Sequence, residues 1–229
     1  MRDGAGTTAP GAVSAPEAFE DPGRAALSVI WLHGIGQGPE HVRAVAHRVA
    51  PPEAGVRGVF PRGSATLVSA LTGRPASSWF IQSLSTHMRA DPASLLAAER
   101  RLCALIDAEV ERFGAHRVAL AGFSQGGVMA LYGGLRYRLP LAGIAVYAVF
   151  PLDGMQFLGS LSPATSKVPL WMGHGVRDWV VPYSTGKELR RLLIDRGHPV
   201  TWHWYQGGHE IFGGVSTELT EFFDGLHPD

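Results

Sequence analysis

Residues 118–127, VALAGFSQGG, constrain this chain more than any other stretch. An apolar run, Val118-Ala119-Leu120-Ala121, meets Gly122-Phe123-Ser124-Gln125-Gly126, and the helix-forming segment VMALYGGLRYRL follows. This is a G-x-S-x-G match in the setting such a match requires: strand, sharp turn, helix. A serine hydroxyl becomes a useful nucleophile only when it is exposed, stripped of its proton by a base, and placed beside oxyanion donors. A tight strand-to-helix turn exposes the oxygen and crowds the backbone two residues to either side. Gly122 and Gly126 fit there because a Cβ would clash. The helix that starts at the turn directs its free N–H groups at the oxyanion.

Around this stretch, apolar runs alternate with amphipathic ones. Residues 26–32 (ALSVIWL) read as a buried strand running into His33-Gly34-Ile35-Gly36. Residues 40–49 read as a helix stopped by Pro51-Pro52, and 56–60 as a short strand closed by Pro61. Residues 62–89 show no clear period but carry Trp79, Phe80, Ile81 and Leu84, as a lid or pocket wall would. Asp91-Pro92 opens a strong helix, with the apolar face Leu95, Leu96, Leu102, Leu105 and Ile106, ending at Gly114. Strands are expected over 141–150, 168–172 and 200–205, and helices over 184–196 and 216–226. The pattern predicts an α/β fold: a mostly parallel sheet with helices on both faces and functional loops at the strands' carboxyl ends.

At 229 residues, the chain is read as a single domain over 25–229. Residues 1–24, rich in Gly, Ala, Pro and Thr and without a signal peptide's apolar core, are expected to form a disordered tail. Twenty basic and twenty acidic residues cancel, and no basic run stands out, so nucleic acid and anionic membranes lack an electrostatic case. No window approaches a transmembrane span, and the lone Cys103 fits a reducing compartment; the cytoplasm is the expected location. No C-x-x-C or metal-ligand cluster is visible, and the chemistry inferred here calls for no metal or cofactor.

A serine nucleophile needs a base, and the base needs an anionic partner to hold its tautomer. In this fold the expected chain order is Ser, acid, His. Asp178 follows an apolar strand in HGVRDWVVP, and His209 follows the last strand in a Gly-Gly-His turn. Asp153, after an earlier strand, is the rival acid. Asp195 falls inside a helix and His203 mid-strand; His33 and His174, in H-G turns, are expected to order their loops. The oxyanion donors are expected to be the backbone N–H of Gln125 and that of Ile35, with Gly36 as the fallback.

LHGIG, GFSQGG, HGVRDWVVP and GGH, in this order, resemble the carboxylesterase/phospholipase family of α/β-hydrolases. That family includes acyl-protein thioesterases, lysophospholipases and small bacterial esterases. The likeness runs over about 27–223, and FPRG with SSWF resembles the family's pocket loop. It implies the same triad, Ser124, Asp178 and His209, and the same oxyanion donors, Ile35 and Gln125. Three departures from the family's pattern stand out. Gln37 stands where an acidic residue is usual, Trp79-Phe80-Ile81 replaces Trp-Tyr-Asp, and Trp179 fills a small or proline position. A substrate pocket lined by Trp79, Phe80, Phe150, Phe157 and Trp179 is therefore expected. The expected function is hydrolysis of small-molecule carboxylic esters or thioesters with an apolar acyl group, by a monomer or homodimer. The alternatives are acyl transfer, lactone opening or a tailoring step with the same triad, or a hydrolase fold kept as a binding module.

Overall fold

The computed structural model describes residues 18–20, 23–68, 75–82, 89–152, 160–211 and 216–226. Nine strands are present among them: β1 (Ala18–Glu20), β2 (Leu27–Leu32), β3 (Val56–Phe60), β4 (Ala65–Val68), β5 (Pro75–Ser78), β6 (Val118–Phe123), β7 (Gly143–Tyr147), β8 (Leu170–Gly175) and β9 (Val200–Tyr205). The α-helices are α1 (Pro39–Val49), α2 (Pro92–Phe113), α3 (Gln125–Gly134), α4 (Tyr183–Ile194) and α5 (Ser216–Asp224).

Seven strands form one sheet in the order β1-β3-β2-β6-β7-β8-β9. All neighbours are parallel except β1, which runs antiparallel to β3 with Ala18 opposite Phe60. This corrects the expectation of a disordered tail up to residue 24. An edge strand owes its order to the backbone groups of a distant partner, which the composition of the segment does not reveal. Residues 1–17 lie outside the described residues. The stretch 62–89, expected to be irregular, contains a two-stranded antiparallel ribbon pairing Ala65 with Ser78 and Val68 with Pro75.

Alternation along the strands divides the core into two layers, because successive side chains point to opposite faces. Ile30, Leu32, Leu120, Ile144, Val146, Leu170 and Met172 pack with α2, α3 and α4 on one face. Leu27, Val29, Trp31, Ala119, Ala121, Ala145 and Trp171 pack with α1 and α5 on the other. Asp91 caps α2 by accepting a hydrogen bond from the Ser94 N–H (2.8 Å), and Pro92 sits where no helical N–H is needed. Leu95, Leu102, Leu105 and Ile106 are buried as expected, whereas Leu96 points to solvent, one residue being a 100° turn away.

Ladder register aligns the carboxyl ends that carry the site. Leu32 pairs with Gly122, Phe123 with Tyr147, Tyr147 with Gly173 and Gly173 with His203. Loops leaving β2, β6, β8 and β9 therefore emerge side by side at one edge of the sheet. In parallel α/β sheets that edge is the place for ligands.

Candidate active site

Ser124 sits between the end of β6 and the start of α3 with φ +53° and ψ −122°, one of two non-glycine residues with positive φ among those described. Such a conformation costs about 1–3 kcal/mol and is held by its surroundings. The Ser124 N–H donates to the Tyr147 carbonyl (2.9 Å), and its own carbonyl accepts the Val128 N–H (2.9 Å) that opens α3. The flanking glycines are steric necessities. A Cβ on Gly122 would stand 2.6 Å from the Gly126 carbonyl carbon, and one on Gly126 would strike the carbonyl oxygens of Leu32 and His33.

Asp178 and His209 meet because the backbone pairing of β8 with β9 continues past both strands. Val176 N–H donates to the Tyr205 carbonyl and Arg177 N–H to the Gly207 carbonyl, each at 2.9 Å. The Tyr205 hydroxyl turns back to donate to the Glu210 carbonyl, closing the turn that bears His209. His209 Nδ1 lies 2.8 Å from Asp178 Oδ2, and His209 Nε2 lies 3.0 Å from Ser124 Oγ. A carboxylate accepts, so Nδ1 carries the hydrogen and the Nε2 lone pair faces the serine hydroxyl. The ring rests against Phe123, 4.8 Å between centroids.

The second carboxylate oxygen of Asp178 accepts from the N–H groups of Val180 (2.9 Å) and Val181 (2.7 Å). Burial by itself raises this carboxyl's pKa. The hydrogen bonds from His209, Val181 and Val180, with the proximity of the imidazole, outweigh that and hold it below its ordinary value. His174, fully buried, donates from Nε2 to the Val181 carbonyl (2.9 Å) and so steadies the segment that grips the acid. Burial also lowers the pKa of His174. Asp153, the rival acid, lies outside the described residues.

The loop after β2 carries the other expected oxyanion donor. Gly36 N–H is occupied, donating to the Ser77 carbonyl (2.8 Å), which removes the fallback. Gln125 N–H stands at the first position of α3, where the helix has no acceptor for it. His33 is buried and orders its loop as expected. Nε2 accepts the Gly63 N–H (3.0 Å), so Nδ1 holds the hydrogen and donates to the Gly34 carbonyl (2.8 Å). That carbonyl belongs to the same peptide plane as the Ile35 N–H. Burial lowers the pKa of His33, so the ring stays neutral in this role. Gln37, standing in place of an acidic residue, accepts the Gly34 N–H through Oε1 at 3.1 Å.

The residues expected to line an aromatic pocket lie in different surroundings. Trp79, Phe80 and Phe150 are buried in the core layer beneath the site, exposed by 3% or less. Trp179 lies at the opposite extreme, 92% exposed, and Phe157 is outside the described residues. Aromatic residues in loops follow the same apolar logic whether they fill a core or line a groove, and only packing separates the two. A cavity of about 350 Å³ does open beside His209, lined by Gln37, Glu40, His41, Ala44, Phe123, Glu210 and Ile211. It is a mixed wall of polar and apolar groups at the small end of the range for ligand sites. Among the described residues, no group of three or more His, Cys, Asp or Glu is placed to hold a metal ion.

The model of the phospholipase/carboxylesterase family matches residues 16–227. The chain belongs to that family. A probable carboxylesterase of Oryza sativa subsp. japonica is 31% identical over 189 residues, covering 80% of this chain and 71% of that one. Acyl-protein thioesterase 1 of Neurospora crassa is 31% identical over 215 residues, covering 86% and 87%. The crystal structure of esterase PE8 superposes with a TM-score of 0.79 at 26% identity, over 91% of this chain and 97% of that one. The fold is thus that of an α/β-hydrolase, and the family makes this chain an esterase-type hydrolase.

The side chain of Gln125 was not singled out by sequence reasoning, which used only its N–H. It is completely buried, unusual for a glutamine, and bonded at both ends to residues 78–82. A polar residue flanking a nucleophile is no signal by itself, because its partners come from a segment about 45 residues away.

Proposed function

We propose that this protein hydrolyses small-molecule carboxylic esters or thioesters carrying an apolar acyl group, through a Ser-His-Asp triad and an acyl-enzyme. The observation that carries this reading is the continuous chain from Asp178 Oδ2 through His209 to Ser124 Oγ, with both links at 3.0 Å or less. His209 Nε2 takes the serine proton as Oγ attacks the acyl carbon, and Asp178 balances the imidazolium that forms. The tetrahedral oxyanion is met by the N–H groups of Gln125 and Ile35, and collapse expels the alcohol or thiol with the proton from His209. Water, activated by the same imidazole, then releases the acid. Phe123 and Ile211 in the cavity wall supply apolar surface for the acyl chain. The reading places the protein in the cytoplasm. Among the described residues no helix is long and apolar enough to cross a membrane.

A fluorophosphonate probe tests the nucleophile: labelling is expected on Ser124 and absent in Ser124→Ala. A series of p-nitrophenyl esters tests the acyl group. Each methylene buried contributes about 0.8 kcal/mol, close to fourfold in kcat/KM, until the site is full. A flat series, or a strict preference for acetate, would remove the apolar acyl group from the proposal while leaving the triad.

A further inference from the structure

The two N–H groups proposed to hold the oxyanion sit on different loops, one after β2 and one at the start of α3. Their separation is not set by the sheet alone, since each lies beyond the end of its strand. A single short segment, residues 77–82, touches both loops. On one side, the Ser77 carbonyl accepts the Gly36 N–H (2.8 Å), and the Trp79 indole N–H donates to the His33 carbonyl (2.8 Å). These bonds bracket Ile35. On the other side, the Gln125 carboxamide grips the same segment. Its Oε1 accepts the Trp79 N–H (2.9 Å) and faces the Ser78 hydroxyl (3.0 Å); its Nε2 donates to the Phe80 carbonyl (2.8 Å) and Gln82 Oε1 (3.1 Å).

We propose that the Gln125 side chain is a positioning residue which, through the bridge formed by residues 77–80, fixes the spacing of the Ile35 and Gln125 N–H groups. The inference rests on the oxyanion role given to those two groups above.

The chemistry of the clamp supports a spacer rather than ordinary core packing. Both ends of the amide have a main-chain partner in the bridge, the Trp79 N–H and the Phe80 carbonyl, so its orientation is locked: a backbone N–H demands Oε1 and a backbone carbonyl demands Nε2. Gln125 is entirely shielded from water, as is Ser78, so no solvent competes for these bonds. Trp79, 2% exposed, joins both halves by itself, with its main-chain N–H on Gln125 and its indole N–H on His33. Its ring also packs on the His33 imidazole, 5.1 Å between centroids. A side chain that merely filled space would satisfy its amide locally; this one reaches only the segment that also holds the opposite donor's loop.

Gln125→Met keeps length and volume but removes all of these bonds. Losing an oxyanion donor outright costs about 10²–10³ in kcat. A donor left in place but allowed to drift is expected to cost about 10–100-fold in kcat, with KM changed by less than about threefold. An alkyl boronic acid, whose tetrahedral adduct on Ser124 places an oxygen between the two N–H groups, reads the same geometry without turnover. Its inhibition constant is expected to weaken in proportion to the loss of kcat, while the melting temperature can move independently. Trp79→Phe keeps an aromatic ring at the site but replaces the indole by a smaller phenyl and so removes its N–H, and it decides the matter if Gln125→Met does not fold; a parallel loss of about 3–10-fold in both readouts is expected. A folded variant with kcat and boronate affinity within twofold of wild type overturns the bridge. Wild-type protein that neither reacts with the fluorophosphonate at Ser124 nor binds the boronate overturns the hydrolase reading itself, a distinct outcome.

Discussion

His209 and Asp178 share one hydrogen bond of 2.8 Å, and the remaining oxygen of Asp178 is held by two backbone N–H groups. The acid is thus immobilised from both ends and kept ionised by its surroundings. Replacing it by asparagine puts an amide where a carboxylate receives Nδ1–H, favours the wrong imidazole tautomer and leaves the imidazolium unbalanced. Asp178→Asn is expected to lower kcat by about 10⁴ on a p-nitrophenyl ester, while Asp153→Asn is expected to change it far less. The reverse ranking would move the acid to the loop after β7.

Ser124 offers a separation of activity from stability. Its backbone lies in a region that costs an L-residue about 1–3 kcal/mol, whereas glycine reaches it freely at an entropic cost of about 0.5–1 kcal/mol. Ser124→Gly and Ser124→Ala should both lose 10³-fold or more of the activity, roughly. In urea melts the glycine variant is expected to be the more stable of the two by about 1 kcal/mol. Equal stability, or the opposite order, would mean that the turn at Ser124 stores no strain.

Acid should destabilise the fold well before the carboxylates titrate. Burial lowers the pKa of His33, His174 and His198 below 6.5, so below that pH the unfolded chain binds protons that the folded chain refuses. Their stabilisation is complete above about pH 6.5 and is lost as pH falls toward the folded-state values, with a limiting slope of about 1.4 kcal/mol per pH unit for each. Urea midpoints measured from pH 7.5 to 5 should fall accordingly. His198→Gln should flatten the curve, because this ring is buried with Nδ1 unpartnered. A midpoint that holds steady over that range would contradict the argument.

Two tryptophans should behave in opposite ways. Trp79→Ala empties a core position and orphans the His33 carbonyl, at an expected cost of about 3–5 kcal/mol. Trp179→Ala removes a ring that is 92% exposed and should shift stability by no more than about 0.5 kcal/mol. Thermal melts of the pair check the assignment of one to the core and the other to the surface.

Much of this protein was already determined by the sequence, because the relevant forces act over a few residues. A short run closed by Pro61 and a run rich in β formers located β3 and β9 to the residue, and Asp91-Pro92 marked the start of α2. Gly122 declared the turn at Ser124 through a clash local to the turn, whereas the clash that Gly126 avoids is with the carbonyl oxygens of Leu32 and His33, at the end of a distant strand. Chain order and the ends of β8 and β9 pointed to Asp178 and His209, with Asp153 kept as the rival acid. What the tertiary structure decided depended on partners far apart in the chain. It made Ala18–Glu20 a strand through β3, and it used the Gly36 N–H on Ser77 rather than leaving it for an oxyanion. It sent Trp79, Phe80 and Phe150 into the core and left Trp179 in solvent, although all four look alike in sequence. It also turned the Gln125 side chain into a clamp on residues 78–82. Hydrophobicity says that a ring will be buried, and polarity says that an amide will be bonded; neither says against what, because that is settled only when distant segments compete for the same space.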